Sequence, residues 1–525
     1  MKHLRLLLCA LLILTMALST CGAVAESTGG AVDPTTMTPE ELVQYYQAAR
    51  AAGTNDRLKQ WYDPAIFDLS DLPEYNPDFE VSGTIRQWGS NYIEDSGLVQ
   101  MWEAEFKSFH PDVVFEDTLT SSANAFPGLI TGQADIGQMG REARYHELNG
   151  FQRQCALGYA LEISTCFGSY EVRGWTFSLA IFVNSENPLE SLTLQQVDGI
   201  FGAARSGGWK GLTWDPTVAR GADENIRYWG QLGLTGEWEN ARIQPYGYTF
   251  SYNFPDEFEK KVFQGGQRWN EDMIEVSNGL NYETGRVING GTYMIEKVKE
   301  DKFAICYTGA AFLTDGVKML ALAKDENSPA YENNYENIHN ATYPLTRGIF
   351  AYANPLQAAN PVVAEFLKYI TSKQGQTLVA WDAKYVPMNA EYCQMQWDIL
   401  EDARQKSDGY FAESEGVAQV NGAVLEHPAV DFIGTMMVPV AEVVNALGGT
   451  YTYDEETYAA TIELNNIVAT VKHGNVNYEL AGEKRVLSQP CFIVNDLMYV
   501  PVEYVTNTLG VQAVVDGINV SFTLN

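Results

Sequence analysis

The chain has 525 residues, 46% of them apolar and 12% aromatic, which is enough to bury a large core and excludes a disordered or fibrous polypeptide. Its 67 acidic residues outnumber 34 Lys and Arg for a formal charge of −33, so phosphate backbones are repelled and no nucleic-acid partner is expected. Only six His occur, none in a ligand-like spacing, and no cofactor motif is present; neither metal nor cofactor is expected.

Residues 1–25 read as a secretion signal: Lys2 and Arg5 precede the run LLLCALLILTMAL, too short to be a durable membrane span. Two exits stay open. Ala23-Val24-Ala25 fits a cleavage site, and Leu18-Ser19-Thr20-Cys21-Gly22 resembles a bacterial lipobox with Thr just before the Cys. The mature protein is then secreted or lipid-anchored at Cys21, outside the cytoplasm. The remaining five Cys show no Cys-x-x-Cys pair; Cys155 and Cys166 are either paired or free buried thiols.

Residues 26–79 form a linker with a short helix, for which Thr38, Pro39 and Glu41 supply the N-cap, first-turn Pro and capping-box acid. The Pro- and Asp-rich stretch DPAIFDLSDLPEYNPDFE wraps onto the next domain. From Glu80 strands and helices alternate: VSGTIRQWGS, GLVQMWEAEFKSFHP, VVFEDTL, AFPGLITG and ADIGQMG. WTFSLAIFVN follows as a buried strand, LTLQQVDGIFG as a helix opened by Thr193, and VAEFLKYITSKQGQTLVAW as amphipathic helix. Such alternation predicts an α/β sheet whose strand-end loops face one crevice. Three loops stand between a strand and a helix: Gly89-Ser90-Asn91, Ser121-Ser122, and Gly137 through Gly140 and Arg141. Small hydroxyl and Gly residues there let backbone N–H groups approach an anion, although helix capping alone selects the same residues.

After a linker at 393–429, the last hundred residues carry an internal repeat. Val438-Pro439-Val440 through Gly448 recurs as Val500-Pro501-Val502 through Gly510, each copy leading into a hairpin-like segment. Two copies of helix plus hairpin predict one small module at 430–525.

Residues 80–392 resemble the phosphate-type substrate-binding proteins of ABC transporters. The resemblance rests on GTIRQWGS, on Gly132 through Gly137 followed by Arg141-Glu142, on the run with Asn184, Asn187-Pro188 and Leu192-Thr193 through Trp209, on Tyr343-Pro344-Leu345-Thr346-Arg347, and on SKQGQTLVAWDAKYVPMN. It implies a two-lobed type II periplasmic-binding-protein fold, with lobe one at 80–172 and 350–392, lobe two at 183–341, and crossings near 172–182 and 342–350. It further implies capture of a small oxyanion, phosphate first, for an ABC transporter permease.

Carried over residue by residue, the ligand-binding set is Ser90, Asn91, Ser121, Ser122, Gly140, Arg141, Thr249 and Ser251. Gly140 stands where the family has Ser. In lobe two the family's Arg and Ser-Gly-Thr turn are replaced by Pro245-Tyr246-Gly247-Tyr248-Thr249-Phe250-Ser251-Tyr252-Asn253, whose Tyr either pack in the lobe or stack on a ligand. Arg347 takes the place of a hinge residue. The module at 430–525 resembles the copper amine oxidase N-terminal-like stalk domain of Gram-positive exported proteins, which implies cell-envelope contact and no oxidase chemistry. Capture for transport is the main reading; a surface binding or sensory protein that reuses the clamp is the alternative. The adjacent acids Glu94 and Asp95 are expected by chance in so acidic a chain, and no enzyme is expected.

Overall fold

Alternation of buried and exposed side chains makes a strand of β1 (Gly83–Gly89), and each early strand is followed by a helix. The chain continues through α1 (Asn91–Ser96), α2 (Leu98–Phe109), β2 (Val113–Thr118), α3 (Ala125–Ile130), β3 (Ile136–Met139), α4 (Tyr145–Gln152) and β4 (Leu161–Phe167). It then crosses to a second sheet: β5 (Leu179–Asn184), α5 (Leu194–Phe201), β6 (Gln244–Tyr248), α6 (Asn253–Lys261), β7 (Ile274–Val276), α7 (Gly290–Glu300), β8 (Ala304–Gly309) and β9 (Val317–Ala323). It returns as β10 (Gly348–Ala353), followed by α8 (Pro361–Ile370), α9 (Lys373–Asp382) and α10 (Ala390–Ala412). The computed structural model describes residues 38, 41, 66–170, 176–281, 286–382 and 384–524. Most of the leader and the linker helix lies outside the described residues; within them, Thr38 and Glu41 form the expected reciprocal cap.

The first sheet has the order β2-β1-β3-β10-β4, and β1 is parallel to both β2 and β3. The carboxyl ends of these strands therefore lie on one edge, as do the loops after them. The second sheet runs β7-β6-β8-β5-β9, with β6 parallel to β7 and β8. Each sheet has its own large buried core. The architecture is a mixed α/β fold of two sheets, the periplasmic-binding-like arrangement that the resemblance implies. Gly97, at φ 84, begins the expected helix, α2, and separates it from α1, a short helix the sequence reading did not include.

Residues 393–429 are not simply a linker. Most of α10, 23 residues long, lies there and buries Cys393, Leu400, Ala403 and Phe411. It also buries polar Gln396 and Ser407: Gln396 Oε1 accepts from Ser164 N at 2.8 Å, and Ser407 Oγ donates to the Pro355 carbonyl at 2.9 Å. Polar side chains on the buried face broke the apolar period and hid the helix from the sequence reading. All five described Cys are free and buried, Cys155 and Cys166 included.

The C-terminal module is richer in strands than the expected α/β unit. An eight-stranded and a four-stranded sheet carry two short helices, α11 (Val440–Ala446) and α12 (Val502–Leu509). The repeat copies meet along antiparallel strands in which Val438 faces Val500, Met437 faces Pro501 and Pro439 faces Tyr499, so a local twofold relates them. The module is packed onto the first sheet's domain. Phe411 of α10 and Leu356 share a buried cluster with Phe432, Phe492 and Tyr499, and the Ser82 N–H donates to the Gly474 carbonyl at 3.0 Å. The strap from residue 66 onward lies on the first domain as expected, with Phe67, Leu72 and Tyr75 buried and Tyr75 Oη 2.6 Å from His110 Nε2.

Candidate functional site

The common edge of β1, β2 and β3 brings three loops together. The Ser90 N–H donates to the Gln138 carbonyl at 2.8 Å, the Ser121 N–H donates to the Gly89 carbonyl at 2.7 Å, and Ser122 Oγ accepts from Gly140 N at 3.2 Å. Ser90 stands before α1 but does not cap it, and its hydroxyl is buried with no partner. A Cβ at Gly140 would lie 3.6 Å from Ser90 Oγ and 2.8 Å from Thr176 Oγ1. Gly140 thus opens the space between two hydroxyls that a Ser there would fill. Asn91, half-buried, begins α1. Ser121 is exposed and spends its oxygen on the Ala123 N–H at 3.3 Å.

Arg141 is buried and already matched. Its two terminal nitrogens donate to the Glu147 carboxylate at 2.8 and 2.7 Å, and Nε reaches Asn253 Oδ1 of the second sheet's domain at 3.3 Å. Burial would raise the Glu147 pKa, but bonds and charge from Arg141 outweigh it and hold it below the ordinary glutamate value. A bidentate pair of this kind leaves Arg141 little charge to offer a ligand.

The cation that the sequence reading reserved for the hinge is placed differently from a spacer. Arg347 lies on the second crossing, 1% exposed, with its N–H on Ser178 Oγ at 3.1 Å and its carbonyl accepting from Gly168 N. Nε and Nη2 both donate to the Gly140 carbonyl, at 3.0 and 2.6 Å, while Nη1 has no hydrogen-bond partner. The guanidinium sits over the Phe254 ring, 5.2 Å from its centroid, and Phe254 stacks on Phe177 at 4.5 Å. Burial lowers the Arg347 pKa, while the charges of Glu257, Tyr385 and Tyr92 act the other way and Arg141 adds to the lowering. A guanidinium keeps its proton regardless. Next to it the Thr346 hydroxyl is buried without a partner. A buried donor left unpaired costs about 1–3 kcal/mol, so Ser90 and Arg347, which meet at Gly140, hold donors in reserve, and Thr346, next to Arg347 in the chain, holds a third.

The second sheet's contribution is of another kind. Tyr246 and Tyr248 are buried in its core, Tyr248 Oη bonds Thr308 Oγ1 at 2.6 Å, and burial raises the Tyr248 pKa. The Tyr therefore pack within the lobe. Thr249 Oγ1 donates to the Glu275 carboxylate and lies 3.3 Å from Ser251 Oγ, both on the exposed side. The structure does not bring Thr249 and Ser251 to the Ser90–Arg347 cluster by any described contact.

Around this cluster the two halves are bridged by charge. Arg144 donates to Asp256 from Nε at 3.0 Å, and Lys260 Nζ donates to Glu142 Oε2 at 2.9 Å and the Ala143 carbonyl at 2.7 Å. Burial would raise the Glu142 pKa, but Lys260, with Lys261, holds it below the usual range.

Over 325 residues the chain is 32% identical to the phosphate-binding protein PstS of Pseudomonas aeruginosa, covering 61% of this chain and 88% of that one. The chain belongs to the PstS family. A second PstS relative, from Staphylococcus aureus, is 26% identical over 337 residues, 63% of this chain and 86% of its own. Among solved structures, an ABC-type phosphate transport receptor from Vibrio cholerae matches at 18% identity and TM-score 0.37, covering 57% of this chain and 99% of that one. PstS from Borrelia burgdorferi matches at 16% identity and TM-score 0.40, covering 59% and 100%. Outside the PstS part, residues 419–524 match the copper amine oxidase N-terminal domain, a start ahead of the expected 430. In this PstS-family chain the loop at 245–253 is aromatic, and Arg347, on the crossing, keeps one guanidinium nitrogen unbonded. The sequence signal for it was the Arg of YPLTRG beside a lobe crossing, which reads as a hinge until its partners are seen.

Proposed function

We propose that the chain captures inorganic phosphate between its two lobes, outside the cytoplasm, and delivers it to the permease of an ABC transporter. The reading takes lobe one as 80–172 with 350–392 and lobe two as 183–341, and needs no catalytic group. The observation that carries it is that two buried groups meeting at Gly140 each keep an unpartnered donor: the Ser90 hydroxyl, and Arg347, which holds the Gly140 carbonyl through Nε and Nη2 and leaves Nη1 unbonded. A phosphate oxygen accepting from both removes two desolvation penalties at once, and the charge-assisted bond from Arg347 contributes about 1.5–3 kcal/mol. Ser122, whose oxygen accepts from Gly140 N, keeps its own proton to donate. Arg347 thereby substitutes, from the crossing, for the cation absent from the 245–253 loop.

The leader at 1–25 supports export, by cleavage after Ala25 or by lipid attachment at Cys21, and the 419–524 module supports a site on the cell envelope. Isothermal titration of the mature chain with phosphate and with sulfate tests the reading. Saturable 1:1 phosphate binding that raises the melting temperature is the expected result, since a ligand at 100 times its Kd adds about 2.7 kcal/mol. No phosphate binding at millimolar concentration retires it.

A further inference from the structure

A second concentration of positive charge lies in the second sheet's domain, away from the Ser90–Arg347 cluster. A cavity of about 640 Å³ is lined by Arg205, Arg220 and Arg268 together with Trp209 and Trp214, and none of its lining residues is acidic. In a chain with 67 acids against 34 Lys and Arg, that local excess is not a sample of the average surface.

The charge is only partly balanced from behind, by Asp198. Arg205 spends both terminal nitrogens on Asp198, at 2.8 and 2.6 Å. Arg220 shares the same carboxylate, Nε lying 3.2 Å from Asp198 Oδ1 without the alignment of a hydrogen bond. Its side chain is 4% exposed, and Nη1 and Nη2 have no partner. The arrangement is fixed by backbone: Arg205 and Arg220 exchange N–H to carbonyl bonds at 3.0 Å in both directions, and the Arg268 carbonyl accepts from Ala203 N at 2.9 Å. One carboxylate between two buried guanidiniums leaves one positive charge uncompensated, and Arg268 on the exposed rim adds a second. Burying an unpaired charge is strongly unfavourable, so an anion is the complement that this site lacks.

The walls specify the rest of the ligand. Trp209 and Trp214 meet edge to face at 5.2 Å, and Tyr145 from the first sheet's domain lies against Trp209 at 4.3 Å. Inorganic phosphate would leave these rings unused, whereas a flat organic body stacks on them. The volume lies within the range of small-molecule sites.

We propose that this cavity binds a small phosphate monoester, its phosphate at Arg220 and Arg268 and its organic body against Trp209 and Trp214. A monoester carries close to two negative charges at pH 7, which matches the two uncompensated guanidiniums and exceeds what a carboxylate offers. The site is separate from the inter-lobe reading and stands without it.

The test is calorimetric titration of the full mature chain, first saturated with inorganic phosphate, with adenosine monophosphate as the probe. One further equivalent is expected to bind, and adenosine without its phosphate should bind at least about 30-fold more weakly, from loss of the charge-assisted bonds. Arg220→Met and, on the exposed rim where folding is not at stake, Arg268→Gln should each weaken the probe about tenfold or more. Trp214→Ala should weaken it several-fold while leaving inorganic phosphate binding unchanged. No heat beyond dilution at millimolar probe, equal affinity in the Arg268→Gln and Trp214→Ala variants, or displacement of the probe by inorganic phosphate in strict competition would each overturn the proposal.

Discussion

The two edges that face each other across the crossings solve different problems. On the first, with the crossing beside it, Ser90 and Arg347 hold buried donors in reserve, whereas on the second Tyr248 bonds Thr308 inside the lobe's own core, Thr249 bonds Glu275, and Ser251 lies against Thr249. The difference teaches that binding and closing are divided. On the proposed reading one edge and the crossing supply the bonds to an anion, while both halves contribute to the charged bridges, Arg144 to Asp256 and Lys260 to Glu142, that hold them together.

The largest expected effect breaks the division at its centre. Arg347→Met should lower phosphate affinity about 10- to 100-fold, the size of a lost charge-assisted bond, and Arg347→Lys should recover part of it. Titration calorimetry reads both; an unchanged Arg347→Met variant would return the site to the second edge. Ser90→Ala, which removes one neutral hydroxyl from the same place, should cost roughly three- to tenfold, and adding Ser122→Ala should deepen the loss. A double variant that binds as tightly as the parent would remove both loops from the site.

The bridges sharpen the comparison through pH. With Glu142 held below the ordinary glutamate value of 4.5 by Lys260, its contribution to closure is fully present above that value. It is lost as the pH falls through the lowered one. Small-angle scattering should therefore show the halves separating in acid, and Lys260→Met should abolish that acid-dependent part and weaken phosphate binding no more than about threefold, as expected of a half-exposed pair. The smallest effect falls on the second edge itself: Thr249→Ala and Ser251→Ala should leave phosphate affinity within about twofold, because neither hydroxyl has a described contact with the donor cluster.

Much of this was legible in advance. The strand-helix alternation from Glu80 announced an α/β sheet, the resemblance implied that there are two, Thr193 and Gln196 cap α5 as their spacing demands, and the repeat at Val438 and Val500 anticipated a paired unit. Local chemistry controls these features, so neighbouring residues announce them. Helix α10 escaped because its buried Gln396 and Ser407 are satisfied by Ser164 and Pro355, residues far away in the chain. The partners of Arg141 and Arg347 were hidden for the same reason. An Arg side chain looks alike in sequence whether a bidentate carboxylate has claimed it or one of its nitrogens is left unbonded in a buried seam.

By itself, then, the sequence determined the strand-helix alternation from Glu80, the small-residue loops at Ser90, Ser121-Ser122 and Gly140 on one sheet edge, and the two-copy module at the end. Only the tertiary structure decided which donors remain unspent, that Glu147 neutralises Arg141, that Arg347 reaches Gly140 with one nitrogen to spare, and that Asp198 must serve two guanidiniums. The physical reason is that periodicity and capping act over a few residues, whereas the pairing of a buried charge depends on which distant segment the fold places beside it.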